Sequence, residues 1–141
     1  MTNPHLLDPR LEADTLPLGE TSLCHVRMSR DSRWPWIVLV PKRESAAELH
    51  DLCAEDRLTL INEISSVSSS LKTATGCVKV NVAALGNKVR QLHVHVVARN
   101  EDDPAWPDPI WGYGAPEWRS NAQLPDFALA VQQALCLQQA P

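Results

Sequence analysis

The chain has 141 residues, 44% of them hydrophobic, which suits one ordinary core and a single domain spanning 1–141. A formal net charge of -4 and a pI near 5.7 speak against nucleic acid as the main partner, because duplex binding needs a basic footprint that releases counterions. Cys24, Cys53, Cys77 and Cys136 are scattered without a C-x-x-C pair. No basic stretch followed by an apolar one opens the chain, and no apolar run approaches the ~20 residues of a membrane span. These features predict a soluble cytoplasmic protein with reduced thiols and no membrane contact.

The eleven prolines punctuate the chain rather than form a low-complexity segment. Leu16 to Glu20 and Leu23 to Met28 read as two short strands joined by a turn at Gly19, followed by a polar loop from Ser29 to Arg33. Trp36 to Val40 is a continuous apolar run ended by Pro41, the pattern of a strand buried on both faces. Between Ala54 and Thr73 the period changes: Leu60, Ile61, Ile64, Val67 and Leu71 recur at three- and four-residue spacing. Glu55 and Asp56 fall in the first turn, and Gly76 is placed to end the helix. Serines 65, 66, 68, 69 and 70 should line its solvent side. Cys77 to Val82 and Leu92 to Ala98 return to period two as a long hairpin with its turn region at Gly86-Asn87. An irregular Pro- and Trp-rich stretch follows, and a helix is predicted near Pro125 to Leu137. The expected architecture is α+β: an antiparallel sheet of about five strands, with a long helix and a C-terminal helix packed on one side.

In Leu92-His93-Val94-His95-Val96-Val97-Ala98 the apolar residues at even positions alternate with histidines. One face of the strand therefore packs inward while His93 and His95 share the other, roughly 6.6 Å apart. Three readings compete for the pair. They are two half-exposed strand histidines without chemistry, or two ligands of a metal that needs further donors, or a nucleophile and its neighbour. A neutral imidazole attacks phosphorus through one ring nitrogen when the other is held as a donor. Asn87, Lys88 and Arg90 form a polar, basic edge leading into this strand, and Asn81 must satisfy its amide within an apolar strand. Trp106, Trp111 and Trp118 are candidates for base stacking or an interface, and Trp34 and Trp36 for core and strand-edge packing. Glu101, Asp102, Asp103 and Asp108 read as a solvated acidic loop.

The segment Gln91-Leu92-His93-Val94-His95-Val96-Val97 resembles the signature of the histidine triad (HIT) nucleotide hydrolases and transferases, in which three histidines alternate with apolar residues. Trp36 to Lys42, the helix over 54–73, Asn81 and the Gly86-Asn87-Lys88 turn are similar to the family's elements in order and spacing, so the resemblance covers roughly residues 15–112. It implies a half-barrel-like antiparallel sheet, usually a homodimer, that binds a purine nucleotide and attacks its α-phosphate. On this resemblance His93 is the nucleophile of a nucleotidyl-histidine intermediate, formed without a cofactor or a required metal. His95 would contact phosphate, and Asn81, Asn87 and Lys88 would bind the nucleotide. The sequence departs from the pattern at Gln91, which stands where the family has the first triad His. Gln supplies the same backbone carbonyl to hold the nucleophile, but its side chain cannot titrate. The alternative is a nucleotide-binding protein with little catalysis. Lys88 and Trp36 are further departures, standing where Ser or Thr and His are frequent.

Overall fold

The computed structural model describes residues 5–137. Five strands, β1 (Thr15–Glu20), β2 (Cys24–Ser29), β3 (Trp36–Pro41), β4 (Lys79–Ala83) and β5 (Val94–Arg99), form one sheet in the order β1-β2-β3-β5-β4. Every neighbouring pair is antiparallel. Three α-helices accompany it: α1 (Pro9–Asp14), α2 (Ala54–Thr75) and α3 (Asp126–Ala134). The α+β architecture and the strand count are those expected from the sequence.

The main core lies between one face of the sheet and α2 with α3. Val26, Met28, Ile37, Leu39, Val94 and Val96 meet Leu60, Val67, Leu71, Ala128 and Val131 there. Cys53 caps α2 with its thiol, Gly76 ends it at φ 65, and the Gly76 N–H donates to the Lys72 carbonyl at 2.9 Å. Ile61 points outward, 53% exposed. The buried stripe of α2 therefore runs through Leu60, Val67 and Leu71, narrower than the five-residue pattern predicted. Ser65, Ser66 and Ser69 are exposed as anticipated, with Ser68 and Ser70 half-buried.

Four expectations change in detail. Gly19 is not the turn between the first strands. It sits inside β1 at φ 144, where the register with β2 shifts, and the turn falls at Thr21 to Leu23. There Glu63 of α2 accepts hydrogen bonds from the Thr21 hydroxyl at 2.7 Å and the Leu23 N–H at 2.9 Å. Next, β5 begins at Val94, so His93 occupies the last position before the strand. The C-terminal helix stops at Ala134, short of Leu137.

The fourth change concerns the second face of the sheet, which was expected to be free of helices. The helix α1, capped by the Asp8 carboxylate accepting from the Arg10 N–H at 2.8 Å and with Pro9 at its start, was not predicted. Its Leu11 packs against Val38, Val40 and Val89. Farther along this face Val97 is covered by Trp34, Ala105 and Ile110 of the flanking loops. Between those two small clusters the sheet carries His95 and Trp36.

Candidate active site

Alternation along Leu92 to Ala98 behaves as the sequence implies: Leu92, Val94, Val96 and Ala98 enter the main core. His93 and His95 point to the opposite face, with ring centroids 4.9 Å apart and planes at 78°. Hydrogen-bond chemistry fixes the proton on each ring. The Nδ1 of His93 lies 2.7 Å from the backbone carbonyl of Gln91. A carbonyl only accepts, so Nδ1 carries hydrogen and the neutral ring keeps its lone pair on Nε2. The Nδ1 of His95 instead accepts from the indole Nε1–H of Trp36 at 3.0 Å. An indole only donates, so the His95 proton resides on Nε2. Burial, followed by the neighbouring His93, holds the pKa of His95 down at about 4, and the ring is neutral at cellular pH.

These rings stand at the floor of a cleft of about 580 Å³, a size typical of small-ligand sites. Helix α1 supplies Arg10, Leu11 and Asp14, the turn before β5 supplies Gly86, Asn87 and Lys88, and the segment after it supplies Trp111, Tyr113 and Trp118. Val89 is buried against Leu11 and Val38, which pins the turn so that Asn87 and Lys88 face the cleft. Trp111 stacks edge-on to Trp36 at 6.4 Å and lies 5.6 Å from His95. Its indole Nε1 is enclosed without a partner among the described residues. Across the mouth, the carboxylate of Asp31 is gripped by Arg33 at 2.7 Å and accepts from the Glu117 N–H, fastening the 112–119 segment beside the cleft. Asp31 and Arg33 thereby neutralise each other. The side chains of Arg10 and Lys88 have no carboxylate partner among the described residues, and one further carboxylate, Asp14, shares the wall. The cleft is net cationic.

Not every predicted residue is brought to this place. His93, His95, Asn87 and Lys88 line the cleft, whereas Arg90 does not. Asn81 is also absent from its lining. The Asn81 Oδ1 accepts from Arg99 Nη1 at 2.8 Å, so its amide oxygen is satisfied on the sheet by a β5 side chain. Gln91 contributes its carbonyl to His93 and sends its side chain elsewhere. Oε1 accepts from the Asp8 N–H at 2.8 Å, and Nε2 donates to the Leu6 carbonyl at 2.9 Å. Residues 6–8 are thus clipped beside the site, and α1 follows directly.

Sequence reasoning missed Arg10, because α1 is one and a half turns long and carries no apolar period; the Asp8-Pro9 pair was its one signal. Trp36 was read as packing, yet it sets the tautomer of His95. Asp103 was read as solvated, yet it holds Arg99, which is 1% exposed, at 2.7 Å. No three His, Cys, Asp or Glu side chains converge as a metal site among the described residues.

A family model for the HIT domain matches residues 10–102. The chain belongs to the HIT domain family. HIT domains generally bind nucleotides and hydrolyse or transfer them. Solved histidine triad proteins from three bacteria are similar over nearly the whole length. That from Sinorhizobium meliloti shares 45% identity, with 93% of this chain and 97% of the other covered, at a TM-score of 0.85. The Bradyrhizobium japonicum protein shares 41% over 94% and 99% of the chains at 0.89. The Marinobacter aquaeolei protein shares 40% over 94% and 97% at 0.88. Comparison with curated protein sequences gave no match. In this HIT domain the Gln91 carbonyl, rather than its side chain, reaches His93.

Proposed function

We propose that this HIT domain transfers or hydrolyses a nucleotide at its α-phosphate through a nucleotidyl-histidine intermediate on His93. The observation that carries the reading is the 2.7 Å bond from His93 Nδ1 to the Gln91 carbonyl. That bond orients the ring and leaves the Nε2 lone pair toward the cleft, as an attacking imidazole requires. His95 offers its Nε2–H to a phosphate oxygen, and Asn87 with the Gly86 to Lys88 backbone cradles the others. The base has an aromatic wall in Trp36, Trp111 and Trp118, with the free Trp111 N–H as a donor.

The test is His93→Gly with unchanged folding by circular dichroism. Turnover of nucleoside 5′-phosphate esters and amides should fall by at least about 10³-fold, the order expected for losing a covalent nucleophile. Nucleotide binding measured by calorimetry should survive. Mass spectrometry of the native enzyme quenched during turnover should find a nucleotidyl adduct on His93. Undiminished activity in the variant overturns the reading, and binding without any product from the native protein makes the chain a nucleotide-binding module.

A further inference from the structure

We infer that Trp36 is a positioning residue for this reaction: its indole N–H, seated on Nδ1 of His95, fixes that ring as an uncharged donor whose Nε2–H faces the cleft beside the lone pair of His93. The inference rests on the nucleophilic role of His93 and adds the residue that prepares its neighbour.

Strand register is the first argument. In the β3–β5 ladder Trp36 pairs with Val97 and Val38 with His95. Trp36 and His95 are therefore diagonal neighbours on the cleft face, a spacing that aromatic side chains bridge. The indole packs against both small clusters of that face, and Trp111 meets it edge-on at 6.4 Å. A ring wedged in this way keeps one orientation, and its Nε1 lies 3.0 Å from His95 Nδ1. Trp111 is as near to His95, with ring centroids 5.6 Å apart against 5.5 Å for Trp36, yet its N–H has no partner among the described residues. Of the two indoles against this histidine, Trp36 is the one bonded to it.

Polarity is the second argument. The two histidines are held by partners of opposite kind: a carbonyl accepts from His93 Nδ1, and an indole donates to His95 Nδ1. Their Nε2 atoms are therefore unlike, one a lone pair and the other an N–H. Phosphorus is met by a nucleophile while a phosphate oxygen is met by a donor. With the proton of His95 on Nδ1 instead, a second lone pair would face the same anion and the donor would be lost.

Charge is the third. Protonating His95 would set a new N–H against the indole N–H, and burial together with the neighbouring His93 also disfavours the cation. The other ionisable groups of the cleft are Lys88, Tyr113, Arg10 with Asp14 from α1, and Asp31, which is paired to Arg33. None of them acts on His95 as burial and His93 do. Trp36 thus leaves His95 a donor that does not change its proton count over the neutral range.

The experiment compares the full-length native protein with Trp36→Phe and Trp36→His, two smaller flat rings of which one has an N–H to give. Steady-state kinetics on the p-nitrophenyl ester of AMP at pH 8, where a new histidine is neutral, should show kcat falling at least about fivefold in Trp36→Phe with KM within about threefold of native. Trp36→His should recover at least half of that loss on a logarithmic scale. Nitrogen-15 NMR of the ring-labelled native protein at pH 7 should find His95 with Nδ1 bare and Nε2 protonated. Its protonation midpoint should rise by at least one pH unit in Trp36→Phe. A native His95 with its proton on Nδ1 overturns the inference, and this readout stands even where a variant fails to fold. A smaller fall in kcat for folded Trp36→Phe overturns it too, as does a Trp36→His no better than Trp36→Phe, which assigns the loss to volume. No turnover and no adduct on His93 in the native protein removes the underlying reading instead, whatever the ring signals show.

Discussion

Gln91 divides its labour between main chain and side chain. The carbonyl holds His93, and the amide fastens residues 6–8 to the rim of the site. A side-chain replacement leaves the first function untouched and removes the second. In Gln91→Ala the loss of two hydrogen bonds, one part-buried and one exposed, should cost about 1–2 kcal/mol. The α1 wall carrying Arg10 should loosen with it. Steady-state kinetics should show KM rising about 3–10-fold with kcat retained, the pattern of lost ground-state binding. Amide hydrogen exchange should accelerate over residues 5–14. A fall in kcat at constant KM would instead place the Gln91 side chain in the chemistry.

At the scale of elements, the segment after β5 shows how an irregular loop becomes a wall. Arg99, at the end of β5, is buried and reaches Asp103 at 2.7 Å, Asn81 at 2.8 Å and the Asp108 carbonyl at 2.8 Å. Trp106 lies 5.6 Å from its guanidinium. This clamp sets the path that brings Ile110, Trp111 and Gly112 over the sheet. Burial alone would raise the Asp103 pKa, but the hydrogen bonds from Arg99 and the Ala105 N–H, together with the Arg99 charge, outweigh it and bring the value to about 2. The folded pKa lies below the unfolded one, so the pair contributes stability above about pH 4 and loses it as pH falls toward 2. A difference of nearly two units corresponds to about 2–3 kcal/mol at neutral pH. Asp103→Asn should lose about that much in urea denaturation at pH 7, and the gap from native should narrow as pH approaches 2. An equal gap at both pH values would remove the ion pair as its cause.

For the whole molecule, the sheet has two open edges, β1 and β4. Strand β4 is short and carries Val82 at 47% exposure, with Val78 just before it at 54%. On the same molecule Ile61 and Leu58 of α2 are exposed. An unpaired apolar edge is a template for a second strand, and a homodimer is the expected assembly. Light scattering at micromolar concentration should return twice the 15.6 kDa chain mass, and Val82→Lys should shift the population toward single chains. A single-chain mass for the native protein would overturn the expectation.

Local pattern carried much of this structure. Period two in residues 92–98, the apolar run at 36–40 and the three-four spacing within α2 are each a direct consequence of which face of an element meets the core, so strands, long helix and the shared face of His93 and His95 were legible in the sequence. The family resemblance implied the Gln91 carbonyl as the partner of His93, and the folded chain places it there. What depended on tertiary structure were contacts between segments far apart in the chain. Trp36 and His95 meet because β3 and β5 are neighbours in the sheet, Gln91 meets Leu6 and Asp8 across more than eighty residues, and Asn81 meets Arg99 rather than the cleft. Hydrophobic period states which way a side chain faces; which polar atom awaits it there is decided by the packing of the whole chain.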